Sequence, residues 1–242
     1  MTTSTFSLRR GLKILGAAFD NGRKIRYERI PEWVQGEELL MTFLPYVCII
    51  GDSREQNKWV EKACEYYGIG FRWVSASDEG CLKEGDYTFE YTAGDVRLDY
   101  AGKVAYERKG SCNELWNNLT ADRERICREF NRFRDKKYDK VVLLLEFGEK
   151  LTDLIDMRFS FRAHDGRIVE KNTRNVLYSA LQSWRQPNSK NFTIIQSNTH
   201  EGLFWQWIED IYYYFRNDVN NRAKEIDNGN QGTAQSAQSS GQ

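Results

Sequence analysis

The stretch Val47-Cys-Ile-Ile-Gly-Asp-Ser-Arg-Glu55 decides the architecture. Four consecutive apolar residues ending at a glycine and an acid read as a short strand buried on both faces. Working outward, Trp59, Ala63, Tyr66 and Tyr67 recur at helical spacing, and Gly68 stops that helix. Phe71 to Ser75, Tyr87 to Tyr91 and Lys103 to Lys109 read as strands, with an extended hairpin between Tyr91 and Tyr100. Ile126, Phe130 and Phe133 line one face of a helix from about Asp122 to Lys136, and Val141 to Leu145 is a second buried strand. Val176, Ala180 and Leu181 mark a further helix, Phe192 to Ile195 a strand, and Phe204 to Phe215 an aromatic-rich final helix. Strands alternating with helices predict an α/β fold, a mixed central sheet flanked by helices. The expected division is a basic N-terminal arm over 1–45, one domain over 46–220 and a disordered polar tail over 221–242.

The flanks support that division. Residues 1–30 carry seven basic groups (Arg9, Arg10, Lys13, Arg23, Lys24, Arg26, Arg29) against Asp20 and Glu28, an excess of five. The start, Met1 to Phe19, is basic and free of acids in the manner of a transit peptide up to its last residues; a basic surface arm is the simpler reading. From Asn228 to Gln242 the chain has no charge and almost nothing to bury. The whole chain of 242 residues balances 35 Lys plus Arg against 35 Asp plus Glu. A net charge of zero argues against a wholly electrostatic nucleic-acid binder but allows positive charge concentrated in one place. The 33 aromatic residues exclude wholesale disorder. No apolar run approaches the roughly 18 residues of a membrane span, so no membrane partner is expected. Five cysteines without a CxxC pair, and only two histidines, fit a reduced cytosolic protein and leave little for a zinc site.

Three clusters carry possible chemistry. Gly51-Asp-Ser-Arg-Glu55 lies at a strand's carboxyl end, where α/β sheets open onto ligands; a turn with Asp52 capping the next helix is the plainer alternative. Gly85-Asp86-Tyr87 opens a strand, and alone it is a common turn. Tyr106-Glu107-Arg108-Lys109 ends one. Alternation along that strand puts Glu107 and Lys109 on one face and Arg108 on the other. A carboxylate and an ammonium side by side, joined by Asp86 from a neighbouring strand, could hold a divalent ion beside a phosphate. A surface Glu–Lys pair worth about 0–1 kcal/mol is the competing account.

Taken in order, Asp52-x-Arg54-Glu55, Gly85-Asp86-Tyr87 and Glu107-Arg108-Lys109 resemble the nuclease domain of the XPF-type structure-specific DNA endonucleases. The resemblance continues through Ser111 to Leu115, Asn118 to Thr120, Arg123 to Arg125, Glu146 and Tyr212 to Arg216, and it looks most like the compact phage and bacterial members. It covers about Val47 to Arg216. It implies a restriction-endonuclease-like core with a PD-(D/E)xK site. On that resemblance Asp86 and Glu107 are Mg²⁺ (or Mn²⁺) ligands, with the carbonyl of Arg108 completing the set. Asp52 holds a metal-bound water or a second ion, and Lys109 orients the attacking water or stabilises the phosphorane. Arg54, Glu55 and Arg108 match further motif positions, Arg108 bracing Asp52 or Glu55. Family members often carry an acid four residues after the lysine; here that position is Asn113, with Glu114 next. The tandem helix-hairpin-helix module of the large members is absent.

The implied activity is metal-dependent hydrolysis of branched, flap or single-stranded DNA in replication, repair or recombination. The alternatives are a non-catalytic DNA-binding scaffold for a nuclease or helicase, and an RNA-acting nuclease. Arg125, Arg128 and Arg132 lie on a helix face away from the apolar stripe and could track phosphates; a solvated face of Glu–Arg pairs is the competing reading. Arg9 and Arg10 are the candidates for sequence-independent grip. Trp205, Trp207 and Tyr212 to Phe215 either stack on bases or form core or a dimer face. A homodimer is the expected assembly. The expected location is the bacterial or phage-infected cytosol, or the nucleus if the source is eukaryotic.

Overall fold

In a computed structural model, Val47–Asp52 (β1) is the second strand of a sheet that places every candidate catalytic cluster on one edge. The structure describes residues 25–26, 29–55, 57–75, 82–172, 176–184 and 192–239. Around β1 lie Gly70–Val74 (β2), Tyr87–Ala93 (β3), Val96–Asp99 (β4), Val104–Lys109 (β5), Lys140–Leu145 (β6) and Phe192–Gln196 (β9). Their order is β2-β1-β3-β5-β6-β9, with β4 paired to β3. Arg158–Arg162 (β7) and Ile168–Asn172 (β8) form a separate two-stranded ribbon. Sequence periodicity left that ribbon unassigned.

The helices are Glu32–Gln35 (α1), Glu38–Phe43 (α2), Trp59–Tyr67 (α3), Cys112–Leu119 (α4), Arg123–Asp135 (α5), Val176–Trp184 (α6) and His200–Ser239 (α7). They flank a mixed sheet, as the alternation of strands and helices predicts. Strand β1 runs parallel to β2 and antiparallel to β3, which is antiparallel to β5; β5, β6 and β9 are mutually parallel. Five strands therefore end at the edge where β3 begins. Asp52 and Lys109 are the last residues of β1 and β5, and Asp86 immediately precedes β3. The expected hairpin is β3–β4, which turns at Gly94 with φ of 59°.

Two apolar layers sandwich the sheet. On one side α7 lays Phe204, Trp205, Trp207, Ile208, Ile211 and Phe215 against Phe43, Tyr87, Tyr91 and Tyr106. Ring pairs tie them, including Tyr91–Phe215 at 4.3 Å and Tyr106–Trp207 at 5.2 Å between centroids. Trp205, Trp207, Tyr212 and Phe215 are almost wholly buried, so they are core and have no face to offer a base; Tyr213 is 39% exposed. On the other side Leu115, Leu119, Leu143, Leu145, Leu177 and Leu181 form a second cluster under α4 and α6.

Two expected boundaries move. Ile25, Ile30, Val34, Leu40 and Phe43 are buried in the main core, so the segment before residue 46 contributes to the domain as well as carrying charge. Apolar residues too sparse to show a period become core once α7 provides a surface for them. At the other end α7 continues past residue 220 as far as Ser239, where the sequence reading places a disordered tail. Ion pairing supports its middle: Asp218 accepts from Arg222 at 2.8 Å and from the Tyr100 hydroxyl at 2.9 Å.

Candidate functional site

Strand register brings the three clusters together. Gly51 faces Tyr87, and Tyr87 faces Tyr106. The next residues along these strands, Asp52, Asp86 and Glu107, therefore line up across three neighbouring strands. Backbone bonds hold the row: Asp52 N–H donates to Asp86 O at 2.8 Å, and Asp86 N–H to Tyr106 O at 2.9 Å. Gly85, at φ of 76°, makes the turn into this row; a Cβ there would meet the Ala105 Cβ at 3.1 Å.

The row floors a cleft of about 550 Å³. Seven carboxyl groups line it (Asp52, Glu55, Glu84, Asp86, Glu107, Glu114, Glu129) against five cationic side chains (Arg54, Lys83, Arg108, Arg125, Arg132). The acidic excess favours a cation and disfavours a bare phosphate.

Lys109 and Glu107 are both buried, at 4% and 5% exposure, and Lys109 Nζ donates to Glu107 Oε1 at 2.6 Å. Burial alone would lower the lysine's pKa. Glu107, Asp86 and Glu114 outweigh it and hold the pKa above its usual value. Lys109 is thus a fixed ammonium, a donor and not a base. Asp86 accepts from the Arg108 backbone N–H at 2.8 Å. Burial first, and the neighbouring Glu107 second, push its carboxyl well above the usual range.

Arg108 points to the other side of β5, as alternation predicts. It joins Glu55 at 3.1 Å and Glu146 at 3.0 Å, and Glu146 also accepts from the Trp59 indole. The brace therefore runs to Glu55 and Glu146, not to Asp52. Asp52 is held by Arg54 instead: the Arg54 Nε and Nη2 donate to its two carboxylate oxygens, each at 2.8 Å. Among the described residues no group of three or more His, Cys, Asp and Glu side chains is arranged to hold a metal ion. Asp52, with Arg54 across both oxygens, is not offered as a third ligand here. What remains is the Asp86–Glu107 pair, two recessed carboxyls whose mutual repulsion a cation would relieve. That set fits Mg²⁺, which takes one or two protein carboxylates and otherwise water and phosphate.

Of the helical arginines, Arg125 and Arg132 line the cleft. Arg128 does not; it is exposed and pairs with Glu124 at 3.7 Å. Arg9 and Arg10 lie outside the described residues. Glu114, next to Asn113 in the chain, accepts from Gly110 N–H at 2.8 Å and lies 3.7 Å from Lys109 Nζ. Asn113 is not in the lining.

Sequence reasoning missed two carboxyls. Glu129 hydrogen-bonds to Glu107 from α5; burial, and then Glu107, raise its pKa to about 7. Its signal was the spacing Arg125, Glu129, Arg132, one helix face at i, i+4, i+7. Glu84, 5% exposed, pairs with Lys136 and accepts from the Tyr138 hydroxyl at 3.0 Å. That ties the loop before Asp86 to the end of α5.

No family model matches the chain, and no curated protein does. Among solved structures, the chain is similar to XPF from Aeropyrum pernix, with a TM-score of 0.45 and 15% identity over 78% of this chain and 72% of that one. It is also similar to XPF from Aeropyrum pernix in complex with DNA, with a TM-score of 0.43 and 16% identity over 70% of this chain and 65% of that one.

Proposed function

We propose that the chain is a Mg²⁺- or Mn²⁺-dependent endonuclease with a restriction-endonuclease-like core, hydrolysing phosphodiester bonds in branched, flap or single-stranded DNA. One observation carries the reading. Asp86 and Glu107 form a recessed carboxyl pair lining one open cleft, with the buried Lys109 ammonium 2.6 Å from Glu107. The ordered resemblance of the three clusters to the XPF-type nuclease domain supports it.

Asp86 and Glu107 would hold the ion. When bound, a divalent cation lowers the pKa of a water and offsets charge on the scissile phosphate. Lys109 stays protonated throughout and donates a hydrogen bond to the incoming water or to a phosphoryl oxygen. Arg108 keeps β5 in place by spanning Glu55 and Glu146. Arg125 and Arg132 on the cleft wall bind flanking phosphates and set the scissile group over the carboxyl pair. The products would be a 5′-phosphate and a 3′-hydroxyl. A homodimer is part of the proposal, read out by light scattering.

The test is purified protein with Mg²⁺ on flap, fork and single-stranded DNA, beside Glu107→Ala and Asp86→Asn. Cleavage by the wild type alone is the expected result. Cleavage that survives both substitutions overturns the site. Binding without cleavage by the wild type favours a scaffold, and cleavage of RNA alone redirects the substrate.

A further inference from the structure

The ribbon of β7 and β8 is not used by the cleft chemistry. Its construction is specific. Gly166 N–H donates to Ala163 O at 2.9 Å, Ala163 N–H to Arg167 O at 2.8 Å, and Gly166 sits at φ of 83°. That is a tight turn closed by a left-handed glycine, a standard hairpin connection. Asp165 completes it by accepting from Arg167 N–H at 3.1 Å.

One face of this hairpin is wet. Arg158, Ser160, Arg162 and Glu170 are exposed, Phe161 is 40% exposed and Ile168 72%. A two-stranded hairpin is marginal on its own, and contact of β7 with α4 supports this one. Register pairs Arg158 with Asn172, Ser160 with Glu170 and Arg162 with Ile168, and paired residues share a face. Arg158 and Arg162 therefore project on the same side. Arg158 has a distant partner, Glu170 at 4.0 Å. Arg162 makes no ion pair with any described residue.

Position gives the arm a role. The chain reaches it from the end of β6, on the sheet edge where Asp52 and Lys109 end. Strand β7 packs against α4, the helix that begins three residues after Lys109. Charge selects the occupant. The cleft is lined by an excess of acid. Residues 158–172 carry Arg158, Arg162, Arg167 and Lys171 against Asp165 and Glu170, an excess of base in which Arg167 pairs with Asp165 at 2.6 Å. A two-stranded ribbon enters a B-DNA major groove about 12 Å wide, and five extended residues span about 17 Å, more than the groove's depth of about 8.5 Å.

We infer that the Arg158–Asn172 ribbon is a second DNA-binding element, gripping the duplex arm beside the cut through Arg158 and Arg162. The inference rests on the nuclease reading of the cleft and names the part of a branched substrate that the cleft does not hold. It would supply preference for substrates with a duplex arm.

The experiment uses the full chain in Mg²⁺-free buffer and compares wild type with Arg158→Ala/Arg162→Ala. Fluorescence anisotropy on a fork with a duplex arm and on a single-stranded oligonucleotide is repeated across a salt series. Loss of two phosphate contacts lowers the salt slope on the fork by about 1.8 and weakens binding about tenfold, with little change on the single strand. Equal affinities and slopes for variant and wild type on the fork overturn the inference and leave the cleft reading standing. If the variant binds normally but no longer self-associates, the ribbon is a subunit contact and the inference also fails. Failure of wild type to bind any DNA overturns the cleft reading and the inference together. Circular dichroism melts of both proteins establish that the variant is folded, and charge reversal at Arg162 alone gives a second, less invasive variant.

Discussion

Lys109 donates to Glu107 across 2.6 Å, two residues apart on one face of a strand, with both side chains at most 5% exposed. A buried ion pair whose carboxylate lines an acidic cleft has one strong energetic consequence. Removing either member leaves the other charge in a low-dielectric setting without its partner.

Glu107→Ala is therefore expected to cost stability as well as cleavage, by about 3 kcal/mol in urea unfolding. Glu107→Leu combined with Lys109→Met should recover most of that stability while remaining inactive. A double variant no more stable than Glu107→Ala would mean the pair is not coupled.

Asp86 behaves in the opposite sense. Burial and Glu107 raise its carboxyl above the value in the unfolded chain, so the folded state binds that proton more tightly. Its contribution to stability is full below the unfolded value, about 3.9, and is lost as pH rises through the folded value. Asp86→Asn should raise the Tm of the metal-free protein at pH 7–8, match wild type near pH 3.5, and abolish cleavage. Mg²⁺ should raise the wild-type Tm and leave that of the variant unmoved.

Glu129 gives a defined pH window. Its folded value is about 7 against about 4.3 for an unperturbed glutamate. Without metal, wild type should lose stability relative to Glu129→Gln between about pH 4.5 and 7, by on the order of 3 kcal/mol. Urea unfolding at several pH values reads this directly, and parallel curves for the two proteins would refute it.

Arg108 spans two carboxylates, Glu55 and Glu146, with all three side chains at most 11% exposed. Arg108→Ala should cost about 3–5 kcal/mol. Arg108→Lys should rescue little, because a single ammonium does not reproduce the fork. Arg128→Ala, which removes only an exposed pair with Glu124, should stay within about 0.5 kcal/mol.

The same contrast serves for DNA. Arg125→Ala and Arg132→Ala should each lower the salt slope of binding by about 0.9, and Arg128→Ala should leave it unchanged. A uniform effect of the three substitutions would contradict the division of α5 into a cleft face and a solvent face.

Much of this site was legible in the sequence. Val47 to Ile50 and Val141 to Leu145 announce buried strands by their unbroken apolar character, and alternation alone separates Arg108 from Glu107 and Lys109. Those rules depend on nearest neighbours along the chain. Glu129 was not legible as a site residue, because its helix reads as amphipathic whether α5 faces a cleft or solvent. The core role of Ile25 to Phe43 was hidden for a similar reason: short helices carry too few turns to display a period, and their burial is set by α7, some 160 residues away in sequence. The ribbon was not assigned although Arg158-Phe-Ser-Phe-Arg162 alternates, because so short a run does not by itself separate a strand from a loop.

Sequence by itself determined which chemical groups stand at the strand ends, and on which face of β5 each lies, since both follow from local backbone period. Tertiary structure decided their partners. Register across β1, β3 and β5 set Asp86 beside Glu107; the turn after β1 swung Arg54 onto Asp52; the packing of α5 brought Glu129 to Glu107 and turned Arg128 away. Ionic pairing and desolvation act over a few ångströms of space irrespective of chain separation, and that proximity is fixed only when the sheet and its helices are assembled.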